Sequence, residues 1–239
     1  MRLALAFPLC LAALPALAQD APKLGPNAVP ITTDNTYLRA NPAPDYWAFS
    51  SFVKPQFTSS ACSIATVTAA LNGLAGLPPH AEDQVISQQG LLAQVGSTEW
   101  MALSAEDGDG VLFDQLVTFT QAALTATGSA KTITSFKPKD STDAEAMRAL
   151  LAQNEISADD ALLVYFNQGV VTGDWDGPHI SLIGAYDAAT DRVLILEVDQ
   201  DWYIPYWTPA AILLDAMLKP TSDDHGPLKG ETGGFVHIH

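Results

Sequence analysis

The chain has 239 residues, 48% of them hydrophobic and 16% charged, with 27 acidic against 11 basic side chains and a formal net charge of -16. That apolar content excludes intrinsic disorder, and that acidic balance lacks the basic footprint that nucleic acid and anionic membranes require. Two cysteines are too few for a disulfide scaffold or a thiolate zinc site.

Residues 1–18 read as a secretory signal peptide. Arg2 gives the positive start, Leu3 to Leu17 is an apolar run broken by Pro8 and Pro15, and Ala16-Leu17-Ala18 forms a small-x-small cleavage site. The run is too short and proline-broken to span a bilayer, so no membrane anchor is expected and the location is periplasmic or secreted. Processing removes Cys10 and leaves Cys62 alone.

Residues 19–45 are rich in Pro, Asn and Thr without a sustained period, and read as an extended lead-in. Tyr46 to Val53 is an aromatic strand or turn. Ala61 to Leu74 reads as a helix, with Thr58, Ser59 and Ser60 offering N-cap oxygens just before it and with Ile64, Val67, Leu71 and Leu74 on one face. Gly73, Gly76 and Pro78-Pro79 close it. His80 to Leu92 and Gly110 to Thr127 read as further helices, the second carrying Leu112, Leu116, Phe119 and Ala123 on one side. Ser104 to Gly110 is a turn without the ligand alternation or closing glutamate of a calcium loop. Lys131 to Phe136 is a short strand, and Thr142 to Asn154 a helix with Ala146, Leu150 and Leu151 apolar.

Strands follow at Ala161–Asn167, His179–Tyr186 and Arg192–Val198, the last two joined as a hairpin by the polar turn 187–191. Pro209 to Leu218 is a last helix and Gly234 to His239 a closing strand. Helices first and an antiparallel sheet afterwards make an α+β chain.

Cys62 falls in the first turn of its helix, where unpaired N–H groups and the dipole favour a thiolate. A buried, inert thiol is the alternative. A thiolate needs a base, and a base needs an orienter. Of the five histidines, His179 stands out because it opens an apolar strand after Gly177-Pro178. Glu197 sits inside an apolar run, which is costly without a partner, and the hairpin brings it beside His179. Strand alternation puts Asp199 on the same face, so either acid could hold the imidazole. Ser51-Phe-Val-Lys54 matches a Ser-x-x-Lys pattern but lacks the companion motifs of penicillin-recognising enzymes. His237 and His239 read as a polar tail rather than a metal pair.

The stretch Gln56-Phe-Thr-Ser-Ser-Ala-Cys62-Ser-Ile-Ala-Thr, followed by Leu71-Asn72-Gly73-Leu74, resembles the catalytic helix of phytochelatin synthases. His179-Ile-Ser-Leu-Ile-Gly-Ala-Tyr186-Asp187, then Asp191-Arg192-Val-Leu-Ile-Leu-Glu197-Val198, then Tyr203-Ile-Pro205-Tyr-Trp207, resembles that family's histidine hairpin and the aromatic segment after it. Gly233-Gly234-Phe235-Val236 is similar to its final strand. The resemblance covers roughly residues 46–239 and implies a papain-like catalytic domain. It implies Cys62 as nucleophile, His179 as general base and acid, and Gln56 as an oxyanion donor. Glu197 stands where the family usually has the triad aspartate, with Asp199 as the alternative acid.

The family's basic residues after that acid are replaced by Asp199-Gln200-Asp201-Trp202, although Tyr203, a substrate-binding position, is kept. The implied activity is removal of glycine from glutathione, or from a metal–glutathione thiolate, through a cysteine thioester. Hydrolysis is the expected main outcome, with phytochelatin synthesis as the second. A cysteine peptidase acting on another small peptide and an inactive binding module of the same fold are the alternatives. No cofactor or metal site is expected. Heavy-metal ions enter as activators or as part of the substrate, and a homodimer is left open.

Overall fold

The computed structural model describes residues 23–239; the expected signal peptide and the start of the lead-in lie outside the described residues. The lead-in, which shows no period, carries the two-residue strand β1 (Val29–Pro30) and the helix α1 (Thr36–Ala40). The aromatic segment expected as a strand or turn is instead the helix α2 (Pro44–Phe49), with proline at its first position, where no backbone N–H is required.

The expected helix around Cys62 is α3 (Cys62–Ala75). It is not amphipathic: every residue from Ser63 to Asn72 is buried, because α2, a further helix and the sheet enclose it. Gly73 does not close this helix but lies within it, and Gly76, at φ 70, ends it. A Cβ on Gly73 would lie 1.9 Å from Cδ1 of Phe49, so glycine is what lets α2 and α3 approach.

The helix expected at His80 to Leu92 forms only as α4 (Gln88–Val95). Residues 80–87 are irregular because Asn72 straps them to α3: its Nδ2 donates to the Ile86 carbonyl and its Oδ1 accepts the Ile86 N–H. Ser87 then caps α4 by accepting from Gly90. After α5 (Thr98–Leu103) comes α6 (Phe113–Thr127). It starts three residues later than expected, since Gly110 takes φ 78 and the Gln115 side chain accepts the Leu112 N–H to close the first turn.

The strand β2 (Ile133–Phe136) and the helix α7 (Ala144–Asn154) follow, and α7 buries Met147 and Leu151 while Ala146, expected on that face, is exposed. The remaining elements are β3 (Ala161–Asn167), α8 (Gln168–Thr172), β4 (Pro178–Asp187), β5 (Arg192–Leu196), β6 (Tyr206–Pro209), α9 (Ala210–Leu218) and β7 (Gly234–Ile238).

The seven strands form one antiparallel sheet in the order β1-β6-β5-β4-β3-β7-β2. Helices cover both faces. One face packs Leu163, Leu182, Leu194 and Val236 under α3 and α6; the other packs Val164, Ile195 and Phe235 under α7 and α9. Two covered faces explain why all seven residues of β3 are buried and why the strand reads as an unbroken apolar run. The architecture is α+β, a largely helical first half and a multi-stranded antiparallel sheet after it, with two sheet-covering helices late in the chain.

Candidate functional site

Cys62 is the first residue of α3. None of the three hydroxyls before it caps the helix: Thr58 donates to the Ser104 carbonyl at 2.7 Å, Ser60 to the Gly108 carbonyl at 2.5 Å, and Ser59 to Glu106 at 3.1 Å. The N-cap is Ala61, which offers no side-chain oxygen. The helix therefore starts without a side-chain cap, and its N-terminal dipole is left for whatever lies beside Cys62. The 104–110 turn, which has the composition of a weak calcium loop, acts as the strut that holds this segment.

His179 is the second residue of β4 and is 4% exposed. Its register is set by β3, where Phe166 lies opposite, and the Phe166 ring meets the imidazole edge-on at 5.7 Å. Nε2 lies 2.6 Å from Glu197 Oε1 and 3.1 Å from Ser181 Oγ. Nδ1 is therefore the nitrogen left for Cys62, which lines the same cleft and whose charge acts on the ring. Glu197 follows the last residue of β5. Leu196 pairs with Leu182, so the next position along falls across from Ser181, on the face that also carries His179.

Glu197 is fully buried and its carboxylate is the hub of a network. Oε1 also accepts the Asp199 backbone N–H at 2.7 Å, and Oε2 accepts from Gln168 Nε2 at 3.1 Å and from the Tyr206 hydroxyl at 3.4 Å. The bond to its own i+2 amide shows how the side chain accommodates its extra methylene: it folds back over the strand end. Of the two candidate acids, Glu197 makes the imidazole contact, whereas Asp199 contributes a backbone N–H.

Burial opposes the charge on both partners. For His179 the Glu197 carboxylate and Cys62 outweigh it, and the pKa is raised to about 10. For Glu197 the imidazole, then the Asp199 and Val198 amides, outweigh burial and hold its pKa below the ordinary glutamate value. The pair is thus an imidazolium–carboxylate pair at neutral pH. Asp199 is raised instead, by burial first and by the nearby Glu197 and Asp201 charges, with His179 pulling the other way.

Gln56 reaches the same place by a separate route. Its backbone N–H donates to the Val198 carbonyl at 2.8 Å, and its side-chain Nε2 to the Ser59 carbonyl at 3.2 Å. Together Gln56, Cys62, His179, Asp199 and Tyr203 line one cleft of about 440 Å³. Burial and a 3.0 Å bond from the Tyr203 hydroxyl to Asp174 raise the Tyr203 pKa above the usual tyrosine range. A second hollow of about 140 Å³ adjoins Cys62 on another side and is lined by Asp109, Tyr165, Trp175 and His225.

Other sequence candidates lie apart. Lys54 donates to the Ser51 backbone carbonyl, so the Ser-x-x-Lys pair forms no nucleophile–base contact. His80 is exposed in a turn. His237 is held by Asp160 at 2.6 Å, and among the described residues no cluster of three or more His, Cys, Asp or Glu could hold a metal ion. Sequence reasoning missed Gln168, Tyr206, His225 and Lys23. Ser181 was within reach, since it lies two residues from His179 on one strand face.

The molecule is thus an α+β protein in which a helix-start cysteine, a buried histidine–glutamate pair and a glutamine meet in one cleft. The family model described as phytochelatin synthase matches residues 32–227, and the chain belongs to the phytochelatin synthase family. Relatives include the protein named glutathione gamma-glutamylcysteinyltransferase 3 of Lotus japonicus, 28% identical over 175 residues, covering 72% of this chain and 34% of the relative. Another is glutathione gamma-glutamylcysteinyltransferase 1 of Triticum aestivum, 27% identical over 189 residues, covering 75% and 34% respectively. The chain spans about a third of the length of these curated relatives. Among the described residues no helix is long and apolar enough to cross a membrane.

Proposed function

We propose that this chain is a papain-like acyltransferase that removes glycine from glutathione through a thioester on Cys62. His179 already holds the proton of Cys62 as the imidazolium, and the thiolate attacks the Cys-Gly peptide carbonyl. The Cys62 N–H and the Gln56 amide donate to the oxyanion that forms. The imidazolium, held by Glu197, then gives its proton to the glycine nitrogen as the C–N bond breaks. Water, deprotonated by His179, attacks the thioester and releases γ-glutamylcysteine. A second glutathione amine in place of water yields a phytochelatin oligomer. A metal–glutathione thiolate enters this scheme as substrate, and export to the periplasm or beyond remains part of the reading.

The observation that carries the proposal is the 2.6 Å His179–Glu197 contact, fully buried and placed beside a cysteine that starts a helix. The names of the two relatives favour glutathione as the donor. The test is glycine release from glutathione, with Cys62→Ala as control and intact-mass detection of the γ-glutamylcysteinyl enzyme. Glycine release that is absent from the wild type, or that survives in Cys62→Ala, refutes it. The carboxylates Asp174 and Asp199 in the cleft favour a second reading, a cysteine peptidase that takes another small, amine-bearing peptide. A panel of tripeptides assayed beside glutathione separates the two.

A further inference from the structure

The stretch after Glu197 carries no positive charge, yet the cleft does. Lys23, from the lead-in, is the one Lys or Arg among its lining residues. Its ammonium bonds Asp174 at 2.6 Å and lies 4.7 Å from the Trp202 ring centre and 4.6 Å from that of Tyr203. The Tyr203 hydroxyl donates to the same Asp174 oxygen. Two rings and a shared carboxylate therefore fix the Lys23 nitrogen at the cleft while using one of its three N–H donors.

Asp199 is the complement. Its backbone N–H is spent on Glu197, but among the described residues its half-buried carboxylate makes no hydrogen bond and no ion pair. Lys23 is near enough to act on its charge, yet the two are not in contact. Among the described residues, a paired cation with two further donors and a carboxylate without a partner thus line one cleft without contacting each other. A lone carboxylate ligand would satisfy Lys23 and be repelled by Asp199; a lone ammonium would do the reverse. Only a group bearing both charges answers both, and being neutral it is not steered away by a chain of net charge -16.

We propose that Lys23 and Asp199 are the two poles of a subsite for a zwitterionic amino-acid head group of the acyl donor. Lys23 takes the head's carboxylate and Asp199 its ammonium. Asp174, Trp202 and Tyr203 are positioning residues that hold Lys23. The inference rests on the acyl-transfer reading and names what the donor must carry at the end remote from the scissile bond. It makes the lead-in part of the binding site.

The test is protection of Cys62 from iodoacetamide, followed by intact mass, with thiol-free peptides of the form γ-glutamyl-α-aminobutyryl-glycine. Two analogues lack one pole each: 4-aminobutyryl in place of γ-glutamyl lacks the carboxylate, and glutaryl lacks the ammonium. In the wild type each deletion is expected to raise the half-protecting concentration about tenfold, the size of one charge-assisted contact. Lys23→Ala should raise it about tenfold for the full peptide and leave the 4-aminobutyryl analogue unchanged; Asp199→Asn should do the same with the glutaryl analogue. Tighter protection in Lys23→Ala would show that Lys23 plugs the cleft, and equal losses on all three peptides would show a general effect. Either overturns the subsite. Protection with the expected pattern but without glycine release from glutathione refutes the acyl-transfer reading and leaves the subsite standing.

Discussion

Replacing Glu197 by glutamine isolates the charge of the histidine partner from its shape. Glutamine keeps the volume and, through its carbonyl oxygen, keeps an acceptor for the His179 Nε2–H and the Asp199 N–H. Its new NH2 falls where Oε2 accepts from Gln168 Nε2 and Tyr206. That contact can be repaired, because Gln168 Oε1 has no partner and a flip of its amide presents an acceptor. What is lost is the charge-assisted part of the 2.6 Å bond. Bonds to charged groups contribute about 1.5–3 kcal/mol and neutral ones about 1 kcal/mol, so the substitution costs roughly 0.5–2 kcal/mol. That is roughly 1–8 °C in Tm for a chain of this size.

The same energy no longer supports the imidazolium that balances a Cys62 thiolate. Alkylation of Cys62 by iodoacetamide at pH 6 should therefore slow roughly two- to thirtyfold. The stability penalty also has a definite pH course. His179 is raised from 6.5 to about 10, so its share is full below pH 6.5 and lost as pH rises through about 10. Glu197 is lowered from 4.5, so its share is present above that value and lost as pH falls. The difference between wild type and Glu197→Gln should peak between about pH 4.5 and 6.5 and shrink toward pH 10. Alkylation as fast as wild type in both Glu197→Gln and His179→Ala would show that Cys62 is not coupled to the pair, and the reasoning would fail.

Two other substitutions test the fold around the site. Asp45 is buried beside Asn154, and burial, then the charges of Glu155 and Asp160, raise its pKa to about 9. An acid raised from 3.8 holds a proton in the folded state that the unfolded chain gives up. Its burial therefore costs nothing extra near pH 4 and costs progressively more toward pH 9, by up to ~1.4 kcal/mol per pH unit. Asp45→Asn should match wild type near pH 4 and exceed it in Tm at pH 8; parallel curves would refute the assignment. Gly73→Ala should destabilise despite the ~1 kcal/mol by which alanine is the better helix former. Its Cβ would strike the ring of the fully buried Phe49, and overpacking of this kind costs about 1–3 kcal/mol. A urea midpoint above wild type would show that Phe49 yields freely.

The sequence carries these features unevenly, for physical reasons. The start of α3 and the β3, β4 and β5 strands are legible because burial on two faces leaves apolar runs with clear turns between them. The segment before α4 is not, because its shape comes from Asn72 on another element rather than from its own pattern. The choice between Glu197 and Asp199 marks where local rules stop. Alternation places both on one face only while the strand continues, and β5 ends at Leu196. Past that point the chain turns, Glu197 bonds the Asp199 amide, and the second carboxylate is redirected to the cleft. Gln168 gives no signal at all: it is an ordinary polar residue after an apolar strand until the fold sets it against Glu197.

The charge of the whole chain is a poor guide to the charge of its cleft. Five of the positive side chains are engaged on particular carboxylates away from the cleft: Arg148 with Asp191, Arg192 with Asp34, Lys137 with Glu231, Lys219 with Asp176 and Lys229 with Asp223. These surface pairs are screened and fix little beyond their own loops. The cleft is governed by three charges near each other, Lys23, Asp174 and Asp199, and by a buried histidine–glutamate pair that adds no net charge. An acid excess therefore argues against an anionic substrate only at the range of diffusion and encounter. At contact range the balance is set by one lysine delivered from a segment that no periodicity marks, which is why removing Lys23 should alter peptide choice more than any change of the remote surface acids.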